Sequence, residues 1–379
     1  MTVQDLSSFE AAVRQAYANE ERLAGPVHEL DQLPFTYENL TTRWLSNLLG
    51  VHVTGFRADE ADDLGRGHTR IWLEYADGVS GPPSVFCKDS QRLKLRIFNA
   101  FLISGEVQFY NDIQPVLGVE TPKCIHVGYN AETHNSLLIF SDLREHGLTF
   151  CTEKDYVSRE LAEGQVRHLA AVHARFWNVM DSDPVMTALR PFRNVFYSVN
   201  AIFADDFGSA VMNGFHAAAD AIPESVKTRS DEVWPCVQRA LEAQFAAQPT
   251  LTHNDSHIDN WYPSPSGGHL RLGDWQIVAR GDLCFDLALT VATSPTVEDR
   301  RAWERDLIRL YIEELAAGGG PRLTFDAVWN RYRAQLFMVL AWWTPTVKSD
   351  VDFEFHDLSG TFDIIRRIST AIDDLDAFA

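Results

Sequence analysis

Residues 251–260 read LTHNDSHIDN. The last eight of them carry His253, Asn254, Asp255, His257, Asp259 and Asn260, a density of chelating and proton-accepting groups that is unusual directly after a leucine and a threonine. Three readings are open at this point. The stretch is a metal cage, a catalytic loop, or a polar turn with no chemical role. As a strand, it would put His253, Asp255, His257 and Asp259 on one face, as in a hydrolase metal site.

The flanking sequence narrows the choice. Downstream, WYPSPSGGHLRLGDWQ reads as a β-hairpin with a Ser-Gly-Gly turn, Leu270 and Leu272 on one face and Asp274 at its exit. Further on, Thr296 caps a helix that ends at Gly318-Gly319-Gly320, and FDAVWNRYRAQLFMVLAWW is another helix. Upstream, the chain from Phe150 is largely helical: Thr152 and Asp155 resemble a capping box, and Leu169, Val172 and Phe176 share a face.

Before Phe150 the pattern changes to strands around one helix. VHVTGFRA and HTRIWLEYA alternate, the second with Ile71, Leu73 and Tyr75 on one side. SVFCK ends at Lys88, and CIHVGY and SLLIF are further strands. Between them QRLKLRIFNAFLISGEVQFYNDI has helical period, and Leu95, Phe98, Leu102, Glu106 and Phe109 fall at steps of three and four. Glu106 thus lies on an apolar stripe, where a carboxylate needs a partner.

Taken in order, the parts are a turn with Gly65 and Gly67, a strand ending in Lys88, a helix with Glu106 facing inward, a His253-x-Asp255 loop with Asn260, and a hairpin ending at Asp274. This is the order of parts in a phosphoryl-transfer site of the kinase type. Such chemistry asks for placed charge more than covalent work. A lysine neutralises ATP phosphates and a glutamate holds it, while backbone N–H groups near Gly65 and Gly67 close over the phosphates. Oxygen ligands on Asn260 and Asp274 suit Mg²⁺, and Asp255 takes or steers the proton of the attacking hydroxyl.

The segments HNDSHIDN, LGDWQIVARGDLCFDLA, LAAVHARFW, EVQFY and SGPPSVFCK together resemble the aminoglycoside phosphotransferase and choline kinase-like superfamily, nearest its ecdysteroid kinase-like branch. The resemblance spans about Gly65 to Asp286. It implies an α+β, two-lobed protein-kinase-like fold, with a small mixed β-sheet and helix lobe, a larger mainly helical lobe, and ATP in the cleft. On that reading residues 1–140 form the nucleotide-binding lobe, 141–147 the hinge and 148–379 the helical lobe with catalytic loop and acceptor site. Asp255 becomes the catalytic base, Asn260 and Asp274 the Mg²⁺ ligands, Lys88 and Glu106 the ion pair, and Ser141 to Leu143 the hinge that meets adenine. Asn254 stands where the family usually has glycine. Asp286 anchors the catalytic loop.

Bulk properties agree with a soluble small-molecule enzyme. The 379 residues suit two lobes, and the net charge of −20 disfavours nucleic acid and anionic membrane as partners. Five widely spaced cysteines without a CxxC pair read as reduced thiols in a cytoplasmic protein. The expected reaction moves the γ-phosphate of ATP to a hydroxyl of a small molecule. A metal-dependent hydrolase built on the HNDSHIDN cluster leaves Lys88, Glu106 and Asp274 without a task. A catalytically silent nucleotide binder leaves the filled catalytic positions without one. The variable segments 180–249 and 325–348 are the expected acceptor region.

Overall fold

The computed structural model describes residues 3–59, 67–100, 102–200, 206–347 and 358–378. Gly65 lies outside the described residues. Two compact units emerge, one of residues 1–111 and 122–149, the other of residues 112–121 and 150–379.

The first unit opens with two helices that the alternating pattern did not announce, α1 (Val3–Leu23) and α2 (Thr42–Leu49). Thr41 caps α2 by accepting from the Trp44 N–H, and Gly50 ends it in the left-handed region. Five antiparallel strands follow, β1 (Val53–Ala58), β2 (His68–Tyr75), β3 (Ser84–Asp89), and later β4 (Cys124–Tyr129) and β5 (Ser136–Ser141), in the order β1-β2-β3-β5-β4. Alternation along β2 buries Ile71 and Leu73, which join Trp44, Leu45, Val85, Cys87, Leu137 and Ile139 in one apolar core. Each such side chain contributes roughly 1.5–3 kcal/mol on burial.

The run expected as one helix is divided. It forms α3 (Leu93–Asn99), α4 (Ile103–Gln108), a π-helical turn (Phe109–Ile113) and α5 (Gln114–Leu117). Periodicity located most of its buried face, since Leu95, Leu102, Glu106 and Phe109 are buried and Phe98 is half-buried. It could not show that tertiary anchors pull the pieces apart. Arg96 on α3 is fully buried, pairs with Glu20 of α1 and donates to the Ser90 carbonyl. α4 is tied instead to β3 through Glu106. Pro115, which has no N–H, opens α5.

The second unit is mainly helical. After a turn in which Thr152 and Asp155 bond one another, α6 (Arg159–Phe176) begins, capped by Ser158. The 152–155 pair is therefore a local turn and not a helix start. Helices α7 (Pro184–Ala188), α8 (Phe192–Asn200), α9 (Phe207–Ala217), α10 (Glu224–Lys227) and α11 (Ser230–Ala246) lead to a short strand, β6 (Thr250–Thr252). The expected hairpin is present as β7 (Trp261–Pro263) and β8 (Leu270–Leu272), and β9 (Ala279–Gly281) pairs with β6. Then come α12 (Leu283–Thr293), buried along its whole length, α13 (Val297–Ala317) with its Thr296 cap, α14 (Phe325–Trp343) and α15 (Leu358–Asp374). Among the described residues no helix is long and apolar enough to cross a membrane. All five cysteines are free thiols.

Candidate active site

The 253–260 loop begins where β6 runs out. Its first two amides would be orphaned inside the unit, and Asp286 on α12 accepts both. Its Oδ2 takes the His253 N–H at 2.7 Å and its Oδ1 the Asn254 N–H at 2.7 Å. Asp286 is fully buried and also contacts His173 Nε2 at 3.2 Å, while His173 Nδ1 lies 2.7 Å from the Tyr311 hydroxyl. The anchoring role expected of Asp286 is thus visible as geometry. His173 lies within the LAAVHARFW segment but was given no role there, and Tyr311 carried no signal, because helix periodicity marks them only as buried.

Asn254 turns the chain. Its φ is +68°, in the left-handed region, where asparagine is the best tolerated residue after glycine. Its side-chain amide donates to the carbonyls of Thr252 (3.2 Å) and Ile277 (2.9 Å), which glycine would not do. The His253 ring fastens the next residue. Its Nδ1 accepts from the Asp255 N–H at 3.2 Å, so Nε2 carries the proton and donates to the Gly273 carbonyl at 2.8 Å. With both nitrogens engaged by main chain and its ring edge on Trp275, His253 braces the loop.

The metal-cage geometry does not form. Residues 253–257 are a loop and Ile258–Asn260 a 3₁₀ turn, so the alternating side chains share no strand face. Instead the Asp255 carboxylate keeps 16% of its side chain exposed, against none for Asp286.

The hairpin brings Asn260 and Asp274 to neighbouring positions at its open end. Asn260 immediately precedes β7 and Asp274 follows β8 by one residue. Trp261 pairs with Leu272, and the Gly273 N–H bonds the Asn260 carbonyl at 2.8 Å, closing the ends. Asp274 sits at φ +54° and is half-buried. The Asn260 amide nitrogen donates to the Asp255 carbonyl (2.7 Å) and carboxylate (3.1 Å). The register therefore sets Asn260 opposite Gly273, the neighbour of Asp274, and the Asn260 amide holds Asp255, although 19 positions separate Asp255 from Asp274 in the sequence. Outside the turn, Glu120 accepts from Ser264 (2.8 Å) and Arg271 (3.0 Å) and ties the 112–121 segment to the hairpin, a contact with no sequence signature.

Beneath the hairpin lies His168 of α6, its ring edge against Trp261. Burial above all, with Arg271 first among the neighbouring basic groups that oppose a further positive charge, pushes its pKa down to about 3.

In the first unit Lys88 Nζ meets both Glu106 oxygens, at 3.0 and 2.9 Å, and both side chains are buried. Strand pairing fixes Lys88 between His68 of β2 and Leu138 of β5. Gly67, at φ +74°, has no room for a side chain: a Cβ would lie 2.3 Å from the Asp89 carbonyl oxygen. The Asp89 N–H also bonds the Gly67 carbonyl at 2.7 Å, so this glycine locks the end of β3 beside Lys88. At the end of β5, the Ser141 N–H bonds the Lys123 carbonyl (2.9 Å) and Asp142 caps the turn that starts at Leu143. Burial alone would raise the Asp142 pKa. Hydrogen bonds from Arg70, from Ser84 at 2.7 Å and from the Arg144 N–H outweigh it and hold the carboxyl below its ordinary range. The pairing of half-buried Arg70 with buried Asp142 carried no sequence signal, since alternation puts Arg70 on the face opposite Ile71 and Leu73 without naming its partner.

The ecdysteroid kinase-like family model matches residues 83–318, more than half of the chain and every one of Lys88, Glu106, Asp255, Asn260 and Asp274. The chain belongs to that family. Its class is accordingly that of small-molecule phosphotransferases with a hydroxyl acceptor. No curated protein sequence gives a significant match. Two similar solved structures are the choline kinase LicA from Streptococcus pneumoniae (14% identity, 88% of this chain and 96% of that one, TM-score 0.46) and aminoglycoside 2'-phosphotransferase-IIIa in its GDP complex (12% identity, 84% and 93%, TM-score 0.47). Likeness at this level leaves the acceptor and the roles of individual residues to be argued from the chain itself.

Proposed function

We propose that the protein transfers the γ-phosphate of ATP to a hydroxyl of a small molecule, with Asp255 as the general base. The observation that carries this reading is the hairpin whose open end holds Asn260 opposite Gly273, the neighbour of Asp274, with the Asn260 amide bonded to Asp255. The donors are hard oxygens, and the Asn260 Oδ1 accepts no hydrogen bond among the described residues, which fits Mg²⁺ better than zinc. Asn260 and Asp274 would hold the ion, which would supply positive charge to the phosphates.

The remaining work falls to the chain. Asp255, oriented by the Asn260 amide, accepts the proton of the acceptor hydroxyl at its carboxylate as the oxygen attacks phosphorus. Lys88, kept in place by Glu106, neutralises phosphate charge. Gly67 and Gly65 are assigned to the turn over the phosphates, and Ser141 and Leu143 to the adenine contact. A pinned loop matters here because catalysis of this type depends on charge that is already oriented.

A nucleotide-consumption screen over a panel of small alcohols, run with ATP and with GTP, tests the reading. It expects Mg²⁺-dependent, acceptor-dependent release of ADP that is lost in Asp255→Asn. Turnover that needs stoichiometric bound zinc, or ADP release equal in wild type and Asp255→Asn, would overturn it.

A further inference from the structure

His257 is the one histidine of the loop without a part in this chemistry. It is buried, with its ring edge on Trp343 at 5.0 Å between centroids. Its Nε2 lies 3.2 Å from the Asn260 amide nitrogen and 3.8 Å from Asp255 Oδ2, and its Nδ1 lies 4.0 Å from Asp259 Oδ2. The contact with Asn260 decides its state. An asparagine amide is oriented by its partners. Here two acceptors, the carbonyl and the carboxylate of Asp255, both face the same atom, which must be the nitrogen. An amide nitrogen cannot accept, so with one of its two hydrogens shared by the carbonyl and carboxylate of Asp255 the other points to His257 Nε2, which is then the bare acceptor, with the ring proton on Nδ1. The Asp259 carboxylate on that side favours the same placement.

We propose that His257 is a positioning residue for Asn260. As the Nδ1–H tautomer it accepts from the amide nitrogen, and so keeps the amide oxygen turned from Asp255 and open to a cation. The cation part rests on the function proposed above, the tautomer part on contacts alone. His253 and His257 then bracket Asp255 in opposite tautomers, one protonated on Nε2 to grip Gly273, the other on Nδ1 to leave Nε2 bare. A ring protonated on Nε2 would meet the N–H groups of Asn260 head on and drive the amide to rotate, which would also break its bonds to Asp255.

Two measurements test this on the full chain. Long-range ¹H–¹⁵N spectra of histidine-labelled protein, assigned by loss of the signal in His257→Gln, should show His257 with a bare, pyridine-type Nε2. A ring protonated at Nε2, alone or on both nitrogens, overturns the inference. Mn²⁺ titration followed by electron paramagnetic resonance, with a non-hydrolysable ATP analogue bound, gives a second readout. Groups that orient a metal ligand are typically worth about 10–100-fold in metal affinity. His257→Phe, which keeps the ring against Trp343, should weaken Mn²⁺ binding by about that factor. His257→Gln, whose amide oxygen accepts, should recover most of it. Equal loss in both variants, or none in a folded His257→Phe, overturns the proposal. Should His257→Phe not fold, the wild-type spectrum and the Gln variant still decide. Absence of Mn²⁺ binding by the wild-type nucleotide complex would sink the function reading instead, leaving the tautomer result to stand or fall separately.

Discussion

Three aspartates around the 253–260 loop occupy three environments, and their environments sort their tasks. Asp286 is fully buried and spends both oxygens on backbone amides. Asp255 keeps part of its carboxylate in solvent's reach and is steered by one amide. Asp259, the residue before Asn260, has its carboxylate 4.0 Å from His257 Nδ1, on the side of that ring away from Asn260. General-base assistance is commonly worth about 10²–10⁴-fold. Asp255→Asn should therefore lower kcat by at least about a hundredfold with nucleotide binding retained, and Asp259→Asn by less than about tenfold. Steady-state kinetics on the acceptor found by the screen separates the two; equal collapse in both variants contradicts the assignment. At Lys88 the physics of burial adds a complication. Removing the amine strands the Glu106 carboxylate, and breaking a buried pair from one side typically costs about 3–5 kcal/mol. Lys88→Met should lower both the melting temperature and ATP use. Lys88→Met/Glu106→Met should restore the melting temperature but not ATP use. Recovery of activity in the double variant would show the pair to be structural only.

At the scale of the element, the loop is held by a left-handed residue, a buried carboxylate and a hairpin. Asn254 is the sharpest test of how these combine. A non-glycine residue in the left-handed region costs roughly 1–2 kcal/mol, less for asparagine, whose short amide bonds locally. Asn254→Ala loses the amide's two hydrogen bonds and also suffers the strain, whereas Asn254→Gly loses only the bonds. Urea denaturation should rank wild type above Gly above Ala, with Gly and Ala about 1 kcal/mol apart. An alanine variant as stable as the glycine variant would mean that the backbone angle at 254 stores no strain. The divided helix over 93–117 teaches the complementary lesson. Its apolar spacing was legible, but its breaks follow Arg96 and Glu106, each held by a different partner.

For the whole molecule, the acidic surface and the buried histidine give different responses to pH. His168 has its folded pKa near 3, while an unfolded histidine titrates near about 6.5. Below that value the unfolded chain takes up a proton that the folded chain refuses. The stabilisation is complete above about pH 6.5 and is lost as pH falls towards 3, with a slope of at most about 1.4 kcal/mol per pH unit. His168→Phe, which keeps an aromatic edge for Trp261, should flatten the decline of stability between about pH 6 and 4.5 relative to wild type. Urea melts at several pH values measure the difference, in which the shared carboxylates cancel. Identical slopes would place the acid sensitivity elsewhere.

The sequence alone determined the five strands, because alternation is a local signature, and the helical character after Phe150. It determined the hairpin from its glycine turn, the Thr296 cap, and the residue types that phosphoryl transfer requires. It marked Lys88 and Glu106 as partners because a carboxylate on an apolar stripe demands one. Tertiary structure alone decided the rest. Helices α1 and α2 lie outside the strand-like alternation, and α6 starts at Arg159 although a capping pattern stands at Thr152, since two residues bonding one another look alike in a turn and a cap. That Asp286, His173 and Tyr311 stand behind the loop, that Gly67 is packed against Asp89, and that the His253 ring grips the Gly273 carbonyl depend on atoms distant in sequence. Hydrogen-bond direction is set by which groups meet, and no periodicity records which groups will meet.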